Sequence, residues 1–232
     1  MCITKTISRL SSVLILFFIS ISLSYGSIIF DGSPGTNAPP PTLGGQTMTP
    51  FPLDPNANYT SLNQVAVPGS ADFITFSQNV SKRTINDGWN SLWSHGYTGD
   101  VYFNTTSSLT LTFPAGTSAF YFYAETNQFG SFTMEAIGSD GTSSGPIDVF
   151  TSPSVGGSQY FGFYTDSEAC EIMTITITTD DTSGFAVGEF GIALNQFSAA
   201  VPTMGQWGII ILSILMLIFA IATYKKVIFK LA

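Results

Sequence analysis

His95 is the sole imidazole in this 232-residue chain, set between Trp93 and Tyr97, with Ser94 beside it and Asp100 five residues on. Serine, histidine and aspartate are the parts of a nucleophilic hydrolase. Neighbours on an extended segment point to opposite faces, however, and no Gly-x-Ser-x-Gly elbow exists to expose the serine. The spacing therefore predicts a loop histidine hydrogen-bonded to a neighbouring strand. Of the two cysteines, Cys2 precedes an apolar N-terminal run, which leaves Cys170 without an internal partner. Only Glu168 and Glu171 flank it, so a buried or intermolecularly paired thiol is expected rather than a nucleophile.

Carboxylates such as Glu125, Glu135, Asp140 and Glu189 offer a second chemistry. A glycosidase needs two of them facing one another at about 5 to 9.5 Å. Most lie beside Gly, Ser or Thr in turn-like stretches, where solvated acids sit. Asp166 with Glu168, and the pair Asp180 and Asp181, are candidate ligands for Ca²⁺, because hard oxygen donors suit that ion, although no EF-hand spacing supports them. No cofactor is required; calcium is the one the sequence leaves room for. A third feature is density of rings: Trp89, Trp93, Tyr97 and Tyr102 crowd together with Gly88, Gly96 and Gly99 between them. Flat rings beside glycines that let backbone approach closely make a candidate ligand platform for the apolar faces of sugars. The alternative for the same rings is core.

Composition bounds these readings. Hydrophobic residues make up 44% of the chain and charged ones only 9%. All fifteen acids lie between Asp31 and Glu189, where Lys82 and Arg83 are the only lysine and arginine. Such a body repels phosphate backbones, so a nucleic-acid partner is excluded.

The two ends read as targeting segments. Lys5 and Arg9, the apolar run from Leu10 to Leu23 and the small and polar residues up to Ser27 have the order of a secretory signal peptide, residues 1–26. Near the other end, residues 208–224 carry no charge and are followed by Lys225, Lys226 and Lys230. As a helix rising ~1.5 Å per residue this run is long enough to cross a bilayer at the short end of the range. Trp207 and Tyr224 stand where interfacial aromatics belong, and the lysines mark the cytoplasmic side. The expected topology is an ectodomain outside the cytoplasm and a cytoplasmic C-terminus.

Between the ends, residues 27–68 are rich in Pro and Gly and read as an extended lead-in that wraps the core or stays loose. Residues 69–197 show short runs of period two. Leu109, Leu111 and Phe113 alternate with threonines, as do Met173, Ile175 and Ile177. Threonine on the wet face marks half-buried antiparallel strands, and runs about a dozen residues apart predict an all-β sandwich or barrel. Phe120 to Ala124 is aromatic on both faces and should lie centrally, with its phenylalanines in the core and its tyrosines covered by other elements or by a ligand. Tyr160 to Tyr164 repeats the pattern as its neighbour. Near the end of the body, apolar residues switch from odd positions (Phe185, Val187) to even ones (Phe190, Ile192), which predicts a bulge at Gly188 and Glu189.

The order Val201, Pro202, Thr203, Met204, then Trp207 and Gly208, an apolar span and a basic tail resembles the IPTL-CTERM sorting signal of Gram-negative bacteria, a relative of the PEP-CTERM signals. Residues 201–232 form this unit. The body, with Trp93 to Tyr102, Ala119 to Glu125, Phe161 to Tyr164 and Gly184 to Ile192, also resembles exported bacterial proteins bearing such signals. The resemblance implies a single antiparallel β-sandwich, jelly-roll-like, without established activity. It also implies export to the cell envelope, anchoring through the C-terminal helix and handling by a sorting or processing protease. The function expected is that of a non-catalytic surface or matrix protein that adheres or binds extracellular polysaccharide. The alternative is a glycosidase using a pair of ectodomain carboxylates.

Overall fold

The computed structural model describes residues 26–168, 170–195, 211–219 and 221. The expected signal peptide lies outside them except for its last residue. Fifteen strands occur in the body: β1 (Ile28–Asp31), β2 (Thr42–Leu43), β3 (Gln46–Thr47), β4 (Thr49–Pro50), β5 (Ser61–Ala66), β6 (Phe73–Ile85), β7 (Gly88–Trp89), β8 (Asp100–Asn104), β9 (Ser108–Thr112), β10 (Thr117–Thr126), β11 (Gly130–Gly138), β12 (Ile147–Thr151), β13 (Gln159–Thr165), β14 (Thr174–Thr179) and β15 (Phe185–Leu194). A single 3₁₀ turn covers Ser94–Gly96.

The all-β expectation holds: a 13-stranded curled sheet runs in the order β1-β13-β10-β15-β8-β6-β9-β14-β11-β12, with β4 paired to β15 and β5 and β7 to β6, and β2 and β3 form a separate two-stranded sheet. The long strand β6 is the hinge of the larger sheet. Its end near Ser81 pairs with β8, and its start near Thr75 pairs with β9, both antiparallel. The sheet curls over there, so that residues from both arms share one core. Ile74, Leu109, Leu111, Ile175 and Ile177 of one arm pack in the same cluster as Phe120, Phe122, Phe161 and Phe163 of the other.

β10 and β13 pair as the repeated aromatic pattern implied, with Phe122 opposite Phe161 and Phe120 opposite Phe163. The rings of Phe122 and Phe161 stack 5.1 Å apart and 6° from parallel. Each such side chain removes apolar surface from water and contributes about 1.5 to 3 kcal/mol. On the opposite face of β10, Tyr121 and Tyr123 form a second cluster with Leu43, Met48 and Trp93. The lead-in is therefore the cover over these tyrosines, and β1, β4 and β5 stitch it into the sheet through β13, β15 and β6. Gly191 faces Tyr121 where a Cβ would overlap the ring.

The bulge is present. Tyr121 pairs with Gly191 but Tyr123 pairs with Gly188, so β15 spends one extra residue there, and Glu189 takes φ 52°. Met173, by contrast, precedes β14 and is exposed, so the alternation on that strand begins only at Ile175.

The C-terminal segment forms a separate unit. Residues 211–219 and 221 are helical and exposed. Among the described residues no helix is long and apolar enough to cross a membrane; residues 208–210, 220 and 222–224 of the expected span lie outside them.

Candidate functional site

A cleft of about 430 Å³ opens beside the covered face of β10, lined by Tyr59, Arg83, Gly88, Trp89, Asn90, Glu125, Thr126, Asn127 and Phe129. Its parts come from separate elements. Glu125 follows Tyr121 and Tyr123 on the same face of β10, and Arg83 and Trp89 flank the tight turn that joins β6 to β7, two strands that pair in parallel. Tyr59 arrives from the lead-in. Gly88, at φ 98°, makes that return with the Tyr59 ring packed where a Cβ would point.

Glu125 is buried, at 1% exposure. Trp89 Nε1 donates to its Oε2 at 3.0 Å, while Oε1 has no hydrogen-bond partner. Burial pushes the carboxyl up to about 7. The Trp89 indole pulls the other way without cancelling it, as do the Gly157 N–H and the Asn90 amide, which approach the carboxyl without completing a well-formed hydrogen bond. Arg83 stacks its guanidinium over Phe103 (4.5 Å), Tyr59 (5.3 Å) and Trp89 (6.0 Å). Its Nη1 donates to Gly88 O at 3.0 Å, and its Nε has no partner. Asn90 Nδ2 is unpartnered as well. Tyr59 and Phe129 add exposed rings at its edge, 63% and 56% accessible. The arrangement offers flat apolar faces, amide groups, a carboxyl and a guanidinium, which is suited to binding a polar ring-shaped molecule.

The four rings singled out by density divide. Trp89 lines the cleft and Tyr97 is half-buried, but Trp93 and Tyr102 are each only 4% exposed, so neither of these two is open to a ligand. Tyr102 stacks on Phe190 in the core and donates to Asp54 Oδ2. Sequence reasoning missed Tyr59 and Arg83 as site residues and had Glu125 only among many acids. Arg83 carried one signal, as half of the interior's basic pair. Lys82, the other half, is buried and bonded 2.9 Å from Asp100 Oδ1. Asp54 N donates to Asp100 Oδ2, which fastens the lead-in to the sheet.

His95 is hydrogen-bonded to a neighbouring strand, its Nε2 lying 3.0 Å from Glu189 Oε2. Its ring packs 5.3 Å from that of Tyr123. Ser94 Oγ donates to Ser158 O instead, so no Ser–His pair forms. Cys170 is half-buried, with its thiol donating to Gly26 O at 2.9 Å.

The acids considered for calcium serve as loop acceptors. Asp181 is fully buried and accepts from Gln128 N, Ser183 N and Ser183 Oγ. Asp180 accepts from Thr133 N, and Asp166 from Ser27 N and Oγ. Glu168 is exposed. Among the described residues no three such groups gather as a metal site.

Residues 199–223 match the IPTL-CTERM motif. The chain is thus an all-β protein that carries this sorting signal. The match contains Val201, Pro202, Thr203, Met204, Trp207 and Gly208; Lys225, Lys226 and Lys230 lie beyond it. No curated protein matches the chain. Among solved structures it is similar to the CBM22-1 and GH10 modules of an endo-1,4-beta-D-xylanase of Clostridium thermocellum complexed with xylohexaose. That similarity has 14% identity and a TM-score of 0.30, over 51% of this chain and 25% of that one. It is also similar to the enzymatically active domain of tailspike protein 4 of bacteriophage CBA120, at 17% identity and a TM-score of 0.23, over 52% of this chain and 19% of that one. The chain spans a quarter or less of the length of either structure.

Proposed function

We propose that this is an exported, non-catalytic surface or matrix protein whose body, a jelly-roll-like sandwich, binds glycans through the cleft around Trp89. The sorting motif supports export to the cell envelope. The signal peptide, the 208–224 span and the lysine tail extend that reading to a body outside the cytoplasm, a cytoplasmic C-terminus and a sorting or processing protease as partner. The observation that carries the binding reading is the buried, half-satisfied Glu125 bonded to the Trp89 indole beside exposed Tyr59 and Phe129. A glycosidase needs a second carboxylate across the groove, and Glu125 is the one acid among the described residues lining this cleft. That favours binding without turnover.

The test is a glycan array probed with the purified full chain and its Trp89→Ala variant, with sugar release measured on every glycan bound. Binding lost in the variant, without release, is the expected result. Release of reducing ends by the wild type would replace the binder with an enzyme.

A further inference from the structure

We infer that the ligand of this cleft is an acidic saccharide, a uronate-type sugar whose carboxylate is received by Arg83. The inference rests on the glycan-binding reading and narrows it to one chemical class. Between Asp31 and Glu189 the chain holds fifteen acids against one lysine and one arginine, with His95 as the sole imidazole. Lys82 is spent on Asp100, buried and bonded at 2.9 Å. Arg83 has no carboxylate partner among the described residues, and a single hydrogen bond, to Gly88 O, engages its guanidinium. Among the described residues of this acidic body, the lysine or arginine without a carboxylate partner therefore stands in the wall of its aromatic cleft.

Three rings lie against the guanidinium, with Phe103 nearest at 4.5 Å. Such a clamp leaves planar N–H donors preorganised for a carboxylate, whose flat geometry matches the guanidinium fork better than it matches a lysine ammonium. A neutral sugar leaves that cation unanswered. Stacking on Trp89, Tyr59 or Phe129 serves the apolar face of a pyranose ring whatever its charge, so the rings supply affinity and Arg83 selects the acid. Tyr59, Arg83 and Glu125 are the titratable groups lining the cleft. Glu125, half-protonated near pH 7 because it is buried, opposes an anionic ligand little below neutrality and more above it.

The test is calorimetric titration of the full chain at pH 6 with trigalacturonic acid, with its methyl ester, and with a neutral xylo-oligosaccharide of the same length. The acid is expected to bind at least tenfold more tightly than either neutral probe. Arg83→Met, which keeps an unbranched apolar stem but removes the charge, is expected to erase the difference. Glu125→Gln is expected to remove the fall in affinity between pH 6 and pH 8. Since the comparison of acid with ester needs only the wild type, a variant that fails to fold leaves the answer intact. Equal or tighter binding of the ester or the xylo-oligosaccharide overturns the acid preference while keeping a glycan binder. Binding of none of the three overturns the acid preference, and an array without hits then removes the glycan reading as well.

Discussion

His95 Nε2 sits 3.0 Å from each carboxylate oxygen of Glu189, and both residues have positive φ, 45° and 52°. Left-handed backbone costs a non-glycine residue about 1 to 2 kcal/mol, so two such residues meeting side chain to side chain are held by what they form together. On β15 the device is the bulge, which turns Glu189 out of the ladder. The turn Ser94–Gly96 brings the imidazole to it over the Tyr123 ring. Burial pushes Glu189 up to about 8 and His95 below its ordinary value, so the two carry one titratable proton between them at neutrality.

That pairing should be measurable as a coupling energy. In a double-mutant cycle of His95→Ala and Glu189→Ala followed by denaturant unfolding at pH 7, the expected interaction is about 1 to 3 kcal/mol. Additive losses would mean that the two strained residues are held independently.

Glu125 predicts how stability depends on pH. Its folded carboxyl titrates near 7 against an ordinary value of 4.5, so the folded state holds this proton more tightly than the unfolded chain does. Stability therefore falls as pH rises from about 4.5 through 7, by on the order of 3 kcal/mol from this group at most. Glu125→Gln removes the loss. Its melting temperature should exceed that of the wild type at pH 8 and match it near pH 4.5, and the opposite ordering would contradict a buried, proton-retaining carboxyl.

Two tryptophans distinguish cleft from core. Trp93→Ala should cost roughly 3 to 5 kcal/mol of folding stability, as a buried ring does. Trp89 is half-buried, and its loss should cost clearly less while abolishing glycan binding. Thermal melts run alongside binding assays check both, and equal destabilisation by the two changes would place Trp89 in the core.

Calcium should leave the body unaffected, since Asp181 already satisfies three donors and Asp180 and Asp166 close loops of their own. Melting curves with calcium and with EDTA are expected to coincide. A rise of several degrees with calcium would restore those acids as ligands.

The strands were legible because period-two patterns survive wherever one face is buried, as in Leu109 and Leu111 or Ile175 and Ile177. The bulge was legible for the same reason, as a change of parity between Val187 and Phe190. Burial of Tyr121 and Tyr123 could be expected, but not their cover, because Leu43 and Met48 come from a segment whose prolines mask any period. The cleft was only partly legible. Trp89 stood out by ring density, yet Trp93 and Tyr102 share that density and are core. Tyr59, Arg83 and Glu125 lie on three elements far apart in sequence, and only the curl of the sheet and the wrap of the lead-in bring them together.

The most direct measurement follows the indole N–H signals of the ¹⁵N-labelled chain during titration with a glycan that binds. Trp89 Nε1 donates to Glu125 inside the cleft, whereas Trp93 is buried beneath the lead-in. The Trp89 indole signal should shift progressively with ligand while that of Trp93 stays in place. A bound glycan that leaves the Trp89 signal unmoved would contradict the assignment of the cleft as the binding site.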